Sequence, residues 1–117
     1  PVTDWKYYEI MYGERYMDRW QDNEEGFEKS KIHNYVKNLD GKLLEITGSI
    51  DPVVVPQHSM SLIQEFVKNK IQVDFCNYPM HTHNVRGDDR VHLMKKVLNL
   101  KQNLSIYQRC LPVLDFQ

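Results

Sequence analysis

The sequence predicts an α/β fold: a βαβ unit with parallel strands and flanking helices, belonging to an incomplete sheet. Three observations predict it. An apolar run, Lys42 to Thr47, is closed by Gly48, and a second run, Ile71 to Tyr78, is closed by Pro79. Between them, Met60, Ile63 and Val67 with Leu62 and Phe66 form a wide apolar stripe at helical spacing through Lys68. A helical connection between two buried strands is a right-handed crossover, which makes the strands parallel. Two parallel strands are too few to stand alone, so Leu43 to Thr47 should have a further neighbour, from another part of a longer protein or from a second copy.

The elements follow in order. Trp5 to Tyr16 is rich in aromatic residues, and Tyr8 and Tyr12 at i, i+4 with Trp5 one turn earlier predict three rings on one face of a helix from about Tyr7. Asp18 to Glu25 is polar. Asn23 can cap a short helix through Phe27, and a further helical segment is expected over Ile32 to Val36. Gly41 ends that region and the first strand follows. Pro56 suits the opening turn of the crossover helix, Asn69-Lys70 turns the chain into the second strand, and a loop carrying His81 and His83 comes next. Asp88 or Asp89 caps a final helix whose Val91, Met94 and Leu98, with Leu93, Val97 and Leu104, mark its expected buried side. His33 and His58 are expected on helix surfaces.

Composition narrows the function. The 117 residues carry 15 Lys and Arg against 16 Asp and Glu, a net charge of −1, so no electrostatic footprint points to nucleic acid or to an anionic membrane. No apolar stretch approaches the roughly 18 residues that span a bilayer, and the first residues do not form a signal peptide. The absence of an initiator Met suggests that the true N-terminus lies elsewhere. The 2 cysteines, Cys76 and Cys110, make no disulfide framework.

Chemistry points to the strand ends. In open α/β sheets ligands gather outside the carboxyl ends of the strands, which is where Thr47-Gly48-Ser49-Ile50-Asp51 and Tyr78-Pro79-Met80-His81-Thr82-His83-Asn84 fall. They present an acid and then an imidazole, the chain order of the last two members of a Ser…Asp…His triad. Asp51 would accept from His83 Nδ1–H and fix its tautomer, leaving Nε2 to take a serine proton. No G-x-S-x-G motif occurs in the sequence. Plainer readings stand beside this one. Asp51-Pro52 can be a turn pair, and His81, His83 and His92 can be metal ligands. The whole chain can also be a small non-enzymatic α/β binding or interaction module, in which case the carboxylate need not face the imidazole.

Taken together, Pro1-Val2-x-x-Trp5-x-x-Tyr8-x-x-x-Tyr12-x-Glu14-Arg15-Tyr16-Met17, Gly48-x-x-Asp51-x-x-Val54, and His83 before a C-terminal helix resemble the end of the catalytic domain in the dipeptidyl peptidase IV-like branch of the prolyl oligopeptidase family of serine peptidases. Tyr8 to Tyr16, Ile50 to Val55 and His83 to Leu93 are most similar to the bacterial prolyl tripeptidyl peptidases. The resemblance covers residues 1–104 and implies the C-terminal part of an α/β-hydrolase fold, with 105–117 as a tail of unknown structure. It implies Asp51 as triad acid and His83 as triad base, with the nucleophile upstream of Pro1. It places Val2, Trp5, Tyr8, Tyr12 and Val54 on the walls of a hydrophobic pocket fitted to proline, which shape and burial recognise because its ring has no polar group. Glu9 is then either a partner for the substrate's free amino group or a solvated helix carboxylate.

The resemblance implies proline-containing peptides as substrates, no cofactor and a periplasmic or secreted setting, while the open strand edges of an incomplete sheet predict self-association into a homo-oligomer. One departure bears on specificity. Val53 stands where the dipeptidyl enzymes have an asparagine that contacts substrate, which favours the tripeptidyl branch. The expected function is therefore that of a fragment of a serine exopeptidase releasing N-terminal di- or tripeptides after proline, inactive by itself for want of the nucleophile.

Overall fold

In a computed structural model, which describes residues 1–110 and side chains through residue 103, two strands lie side by side and parallel. The chain runs through a 3-10 turn at Trp5–Tyr7, α1 (Ile10–Met17), α2 (Glu24–Ser30), a 3-10 segment at Ile32–Asn38, β1 (Leu44–Gly48), α3 (Gln57–Lys68), β2 (Asp74–Tyr78) and α4 (Asp88–Cys110). Leu44 faces Asp74 and the register holds through Gly48 opposite Tyr78. The β1-α3-β2 unit is the one the sequence predicts. Among the described residues the sheet has two strands. Pro1–Asn84 form one compact unit and a second begins at Val85.

In the first unit the core is made where α3 and the 3-10 segment meet the sheet. Val36, Leu62 and Phe66 are buried together, with Leu39, Leu43, Ile71 and Val73 packed around them. Pro56 precedes the first turn of α3 with φ of −54°, an angle its ring fixes at no cost. The other end of α3 closes as a Schellman motif: Lys70 N–H donates to Val67 O at 3.0 Å, and Ile71 N–H to Phe66 O at 3.0 Å. That motif needs a left-handed residue, and Lys70 takes φ of 58° to supply it. At α2, Asn23 accepts from Gly26 N–H at 3.1 Å and donates to Met17 O at 2.9 Å, so one side chain caps α2 and ties it to the end of α1.

Several expectations about burial are corrected. The buried face of α3 is His58, Ser59, Leu62 and Phe66, while Met60 and Val67 are exposed. Two polar residues take part in that face, and most of their polar atoms find partners there. Ser59 Oγ donates to Glu45 Oε1 at 2.8 Å, which satisfies an acid buried in β1. His58, expected on the surface, is fully buried. Its Nδ1 accepts from Thr3 N–H at 3.2 Å, Thr3 Oγ1 donates to the His58 carbonyl at 2.8 Å, and its Nε2 has no partner.

The aromatic run is also interrupted. Tyr8 and Glu9 are extended, so the 3-10 turn and α1 are separate pieces and the three rings do not share one helical face. Trp5 meets Tyr8 edge-on at 5.5 Å, whereas Tyr12 is exposed and stacks on Tyr16. In the second unit, Val91, Met94 and Leu98 are 55%, 43% and 55% exposed, against their expected burial. The expectation for the Leu104 side chain lies outside the described residues. α4 runs through residue 104 to Cys110 and so takes in the first residues of the 105–117 stretch, of which 111–117 lie outside the described residues.

Candidate active site

Asp51 and His83 meet. Each follows the carboxyl end of its strand, and His83 Nδ1 lies 2.8 Å from Asp51 Oδ2. The two strands bring these loops together because they are parallel neighbours in register to their last residues, Gly48 and Tyr78.

The carboxylate uses both oxygens. Asp51 Oδ1 accepts from the N–H groups of Val53 at 2.9 Å and Val54 at 3.0 Å. Those bonds form the turn that Asp51-Pro52 announces in sequence, so turn residue and imidazole partner are one and the same side chain. Burial alone would raise the Asp51 pKa. The Val53 amide, the His83 ring and the Val54 amide outweigh it and hold the carboxyl below its ordinary value. An ionised carboxylate only accepts, so the nitrogen facing it carries the proton and His83 is the Nδ1–H tautomer when neutral. The Asp51 side chain is 6% exposed and that of His83 is 56% exposed. A fixed, dry acid therefore orients an imidazole that solvent can reach.

The two loops are laced together upstream of this contact. Ser49 N–H donates to Tyr78 O at 3.0 Å, Ile50 N–H to His81 O at 3.1 Å, and Met80 N–H to Ser49 Oγ at 2.7 Å. Gly48 lies directly under the carbonyl groups of His81 and Thr82, where any β-carbon would collide with backbone. In the sequence Gly48 closes an apolar run and Ser49 follows it toward Asp51, with nothing that assigns either a contact to the second loop. The signal that could have found them is a glycine directly after a buried run, which often marks close approach of another backbone.

Of the residues expected to bind substrate, Trp5, Tyr8 and Glu9 line one cleft of about 330 Å³ together with Trp20 and Phe27. Trp20 meets Phe27 edge-on at 5.5 Å, and Lys6 Nζ sits 3.2 Å from the centre of the Trp20 ring. Val2, Tyr12 and Val54 do not line this cleft. Val54 is buried beside the acid that its N–H holds, Val2 is half-buried, and Tyr12 is exposed. Among the described residues, no three His, Cys, Asp or Glu side chains are grouped to hold a metal ion, and no helix is long and apolar enough to cross a membrane.

Comparison with known proteins gives a consistent result. The profile of the prolyl oligopeptidase family matches residues 1–105. A protein of Arthroderma gypseum named as a dipeptidyl-aminopeptidase B is 37% identical over 82 residues, covering 69% of this chain and 8% of its own length. Among solved structures, one assigned as a dipeptidyl aminopeptidase IV from Bacteroides ovatus superposes with a TM-score of 0.85 at 45% identity, covering 88% of this chain and 15% of that one. Porphyromonas gingivalis dipeptidyl peptidase 4 superposes with a TM-score of 0.79 at 32% identity, covering 82% of this chain and 14% of that one. The chain thus spans less than a sixth of the length of each of these relatives.

Proposed function

Because the chain belongs to the prolyl oligopeptidase family, we propose that its residues 1–104 are the C-terminal segment of a peptidase domain, supplying the orienting acid and the general base of a serine exopeptidase. The observation that carries this reading is the 2.8 Å contact between His83 Nδ1 and an Asp51 carboxylate pinned by two backbone amides.

In the proposed reaction a serine hydroxyl, contributed from outside these 117 residues, attacks the peptide carbonyl after a proline. His83 Nε2 takes the hydroxyl proton as the bond forms and returns it to the leaving amine. A water then hydrolyses the acyl-enzyme along the same route. Asp51 stays ionised throughout, holding the Nδ1–H tautomer and stabilising the imidazolium. Trp5 and Tyr8 are proposed as walls of the proline subsite, since two rings in edge contact offer an apolar surface without hydrogen-bonding demands. Glu9, exposed at the rim of the same cleft, is available to a peptide ammonium. Val54 suits a wall next to the reacting centre because it is tied to the acid itself, and Val2 and Tyr12 enter on the family resemblance alone. Val53, which brings no side-chain donor, favours release of tripeptides over strict release of dipeptides.

The test is a splice. Residues 1–104 are put in place of the matching segment of a full-length dipeptidyl peptidase of the family, and hydrolysis of Xaa-Pro and Xaa-Xaa-Pro chromogenic substrates is measured. Turnover that a serine-directed inhibitor abolishes supports the reading. A folded, inactive chimera contradicts it. The isolated 117-residue chain, with no G-x-S-x-G serine, should cleave neither substrate.

A further inference from the structure

We infer that Ser49 is a positioning residue: its hydroxyl holds the Tyr78–His81 turn in the form that seats His83 on Asp51. The inference rests on reading that pair as the acid and base of the site. The turn has Pro79 in its second position and Met80 in its third, with φ of 60° at Met80 and a closing bond of 3.4 Å from His81 N–H to Tyr78 O. A proline followed by a left-handed residue defines a type II turn.

Type II turns call for glycine or asparagine in the third position, because a β-carbon disfavours positive φ. The same Tyr78-Pro79 start suits a type I turn, in which Met80 would be unstrained. The closing bond is long, so the turn does little to hold itself. Something outside it has to maintain the strained form.

The two turn types differ by a flip of the Pro79–Met80 peptide, so the Met80 N–H points in opposite directions in them. Here that N–H donates to Ser49 Oγ at 2.7 Å. In the flipped turn the amide would point away, and the Pro79 carbonyl, whose oxygen stands about 1.2 Å off its carbon, would be driven toward a hydroxyl spaced for an amide nitrogen. The bonds from Ser49 N–H to Tyr78 O and from Ile50 N–H to His81 O do not discriminate. They engage Tyr78 O and His81 O, outside the peptide that flips. Of the three, the Ser49 bond is the shortest and the one made by a side chain. From this turn the chain passes over Gly48, where the His81 and Thr82 carbonyls rest, and reaches His83 two residues beyond His81.

The test reads the His83 tautomer in the 117-residue chain by long-range 1H–15N NMR, at a pH where the imidazole is neutral. Ser49→Ala should lower the ratio of Nδ1–H to Nε2–H tautomer by about five- to tenfold, the equilibrium equivalent of one neutral hydrogen bond. Ser49→Thr, which keeps the hydroxyl, should stay within about twofold of the parent chain. The double variant Ser49→Ala with Met80→Gly should recover the ratio, because glycine accepts positive φ without help. The inference is overturned if Ser49→Ala leaves the ratio unchanged. It is equally overturned if Met80→Gly fails to restore it, including the case in which both variants fail to fold. The readout needs no turnover, so an inactive spliced enzyme would count against the functional reading and leave this result as it stands.

Discussion

Replacing Gly48 by alanine puts a methyl group at the contact between the acid loop and the base loop. An alanine β-carbon there would lie 2.9 Å from the His81 carbonyl carbon and nearer still to the His81 and Thr82 carbonyl oxygens. Carbon atoms in contact prefer about 3.5–4.0 Å, so the 81–82 backbone would have to retreat by at least about 0.6–1.1 Å. Carried through to His83, that displacement stretches the 2.8 Å bond to Asp51 to about 3.4–3.9 Å, at or beyond the limit of a hydrogen bond. Overpacking of this kind costs about 1–3 kcal/mol. Backbone cannot rotate out of the way as a flexible side chain can, which favours the upper part of that range. Denaturant unfolding of the 117-residue chain measures the stability, and the His83 tautomer measures the geometry. A Gly48→Ala chain within about 0.5 kcal/mol of the parent, with its Nδ1–H tautomer intact, would refute the close-approach argument.

Three further outcomes follow from the same structure. Asn23→Ala removes the α2 cap and the link to Met17 O together and should cost about 1–2 kcal/mol in denaturant unfolding; a cost below a few tenths would mean that water replaces both bonds. Lys70→Gly should stabilise the chain by up to about 1 kcal/mol, because the left-handed position that closes α3 then carries no β-carbon; a lower unfolding midpoint would contradict it. Burial lowers the pKa of both His58 and His33 from 6.5. The unfolded chain therefore binds protons first, and stability present above pH 6.5 is lost as the pH falls through the folded values. Replacing His58 by glutamine, which does not titrate, should flatten that decline in unfolding midpoints between pH 7 and pH 5, and an undiminished slope would place its origin elsewhere.

The sequence made the site legible because the site rests on punctuation. Gly48 and Pro79 close two apolar runs, and the acid and imidazole come at fixed short distances after them, so their meeting follows from a parallel βαβ unit alone. Faces were harder to read. Periodicity reports which side of a helix is apolar and is silent on whether anything lies against it. Met60, Val67, Val91, Met94 and Leu98 fit a stripe and are nonetheless exposed. The converse holds for Thr3, Asp4, His58 and Ser59, whose polar side chains argue for a surface and which are buried. Thr3 and Ser59 show how, each donating a hydroxyl to an acceptor that only the folded chain presents. The aromatic segment failed for a local reason. Spacing of i, i+4 implies a shared face only if the helix is continuous, and the extended backbone at Tyr8 and Glu9 separates Trp5 from Tyr12. Ser49 and Met80 could not have been paired from sequence, since their bond depends on a turn type that methionine ordinarily disfavours.

Whether Asp51 orients His83 for proton transfer is decided by kcat of the spliced enzyme carrying Asp51→Asn. Asparagine keeps an acceptor for the Val53 and Val54 amides but turns the charge-bearing oxygen into a donor, which favours the wrong imidazole tautomer. kcat should fall by about 10³–10⁴-fold while KM, set by the proline subsite, changes by no more than a few-fold. An Asp51→Asn enzyme that is folded and within tenfold of the parent kcat would contradict that orienting role.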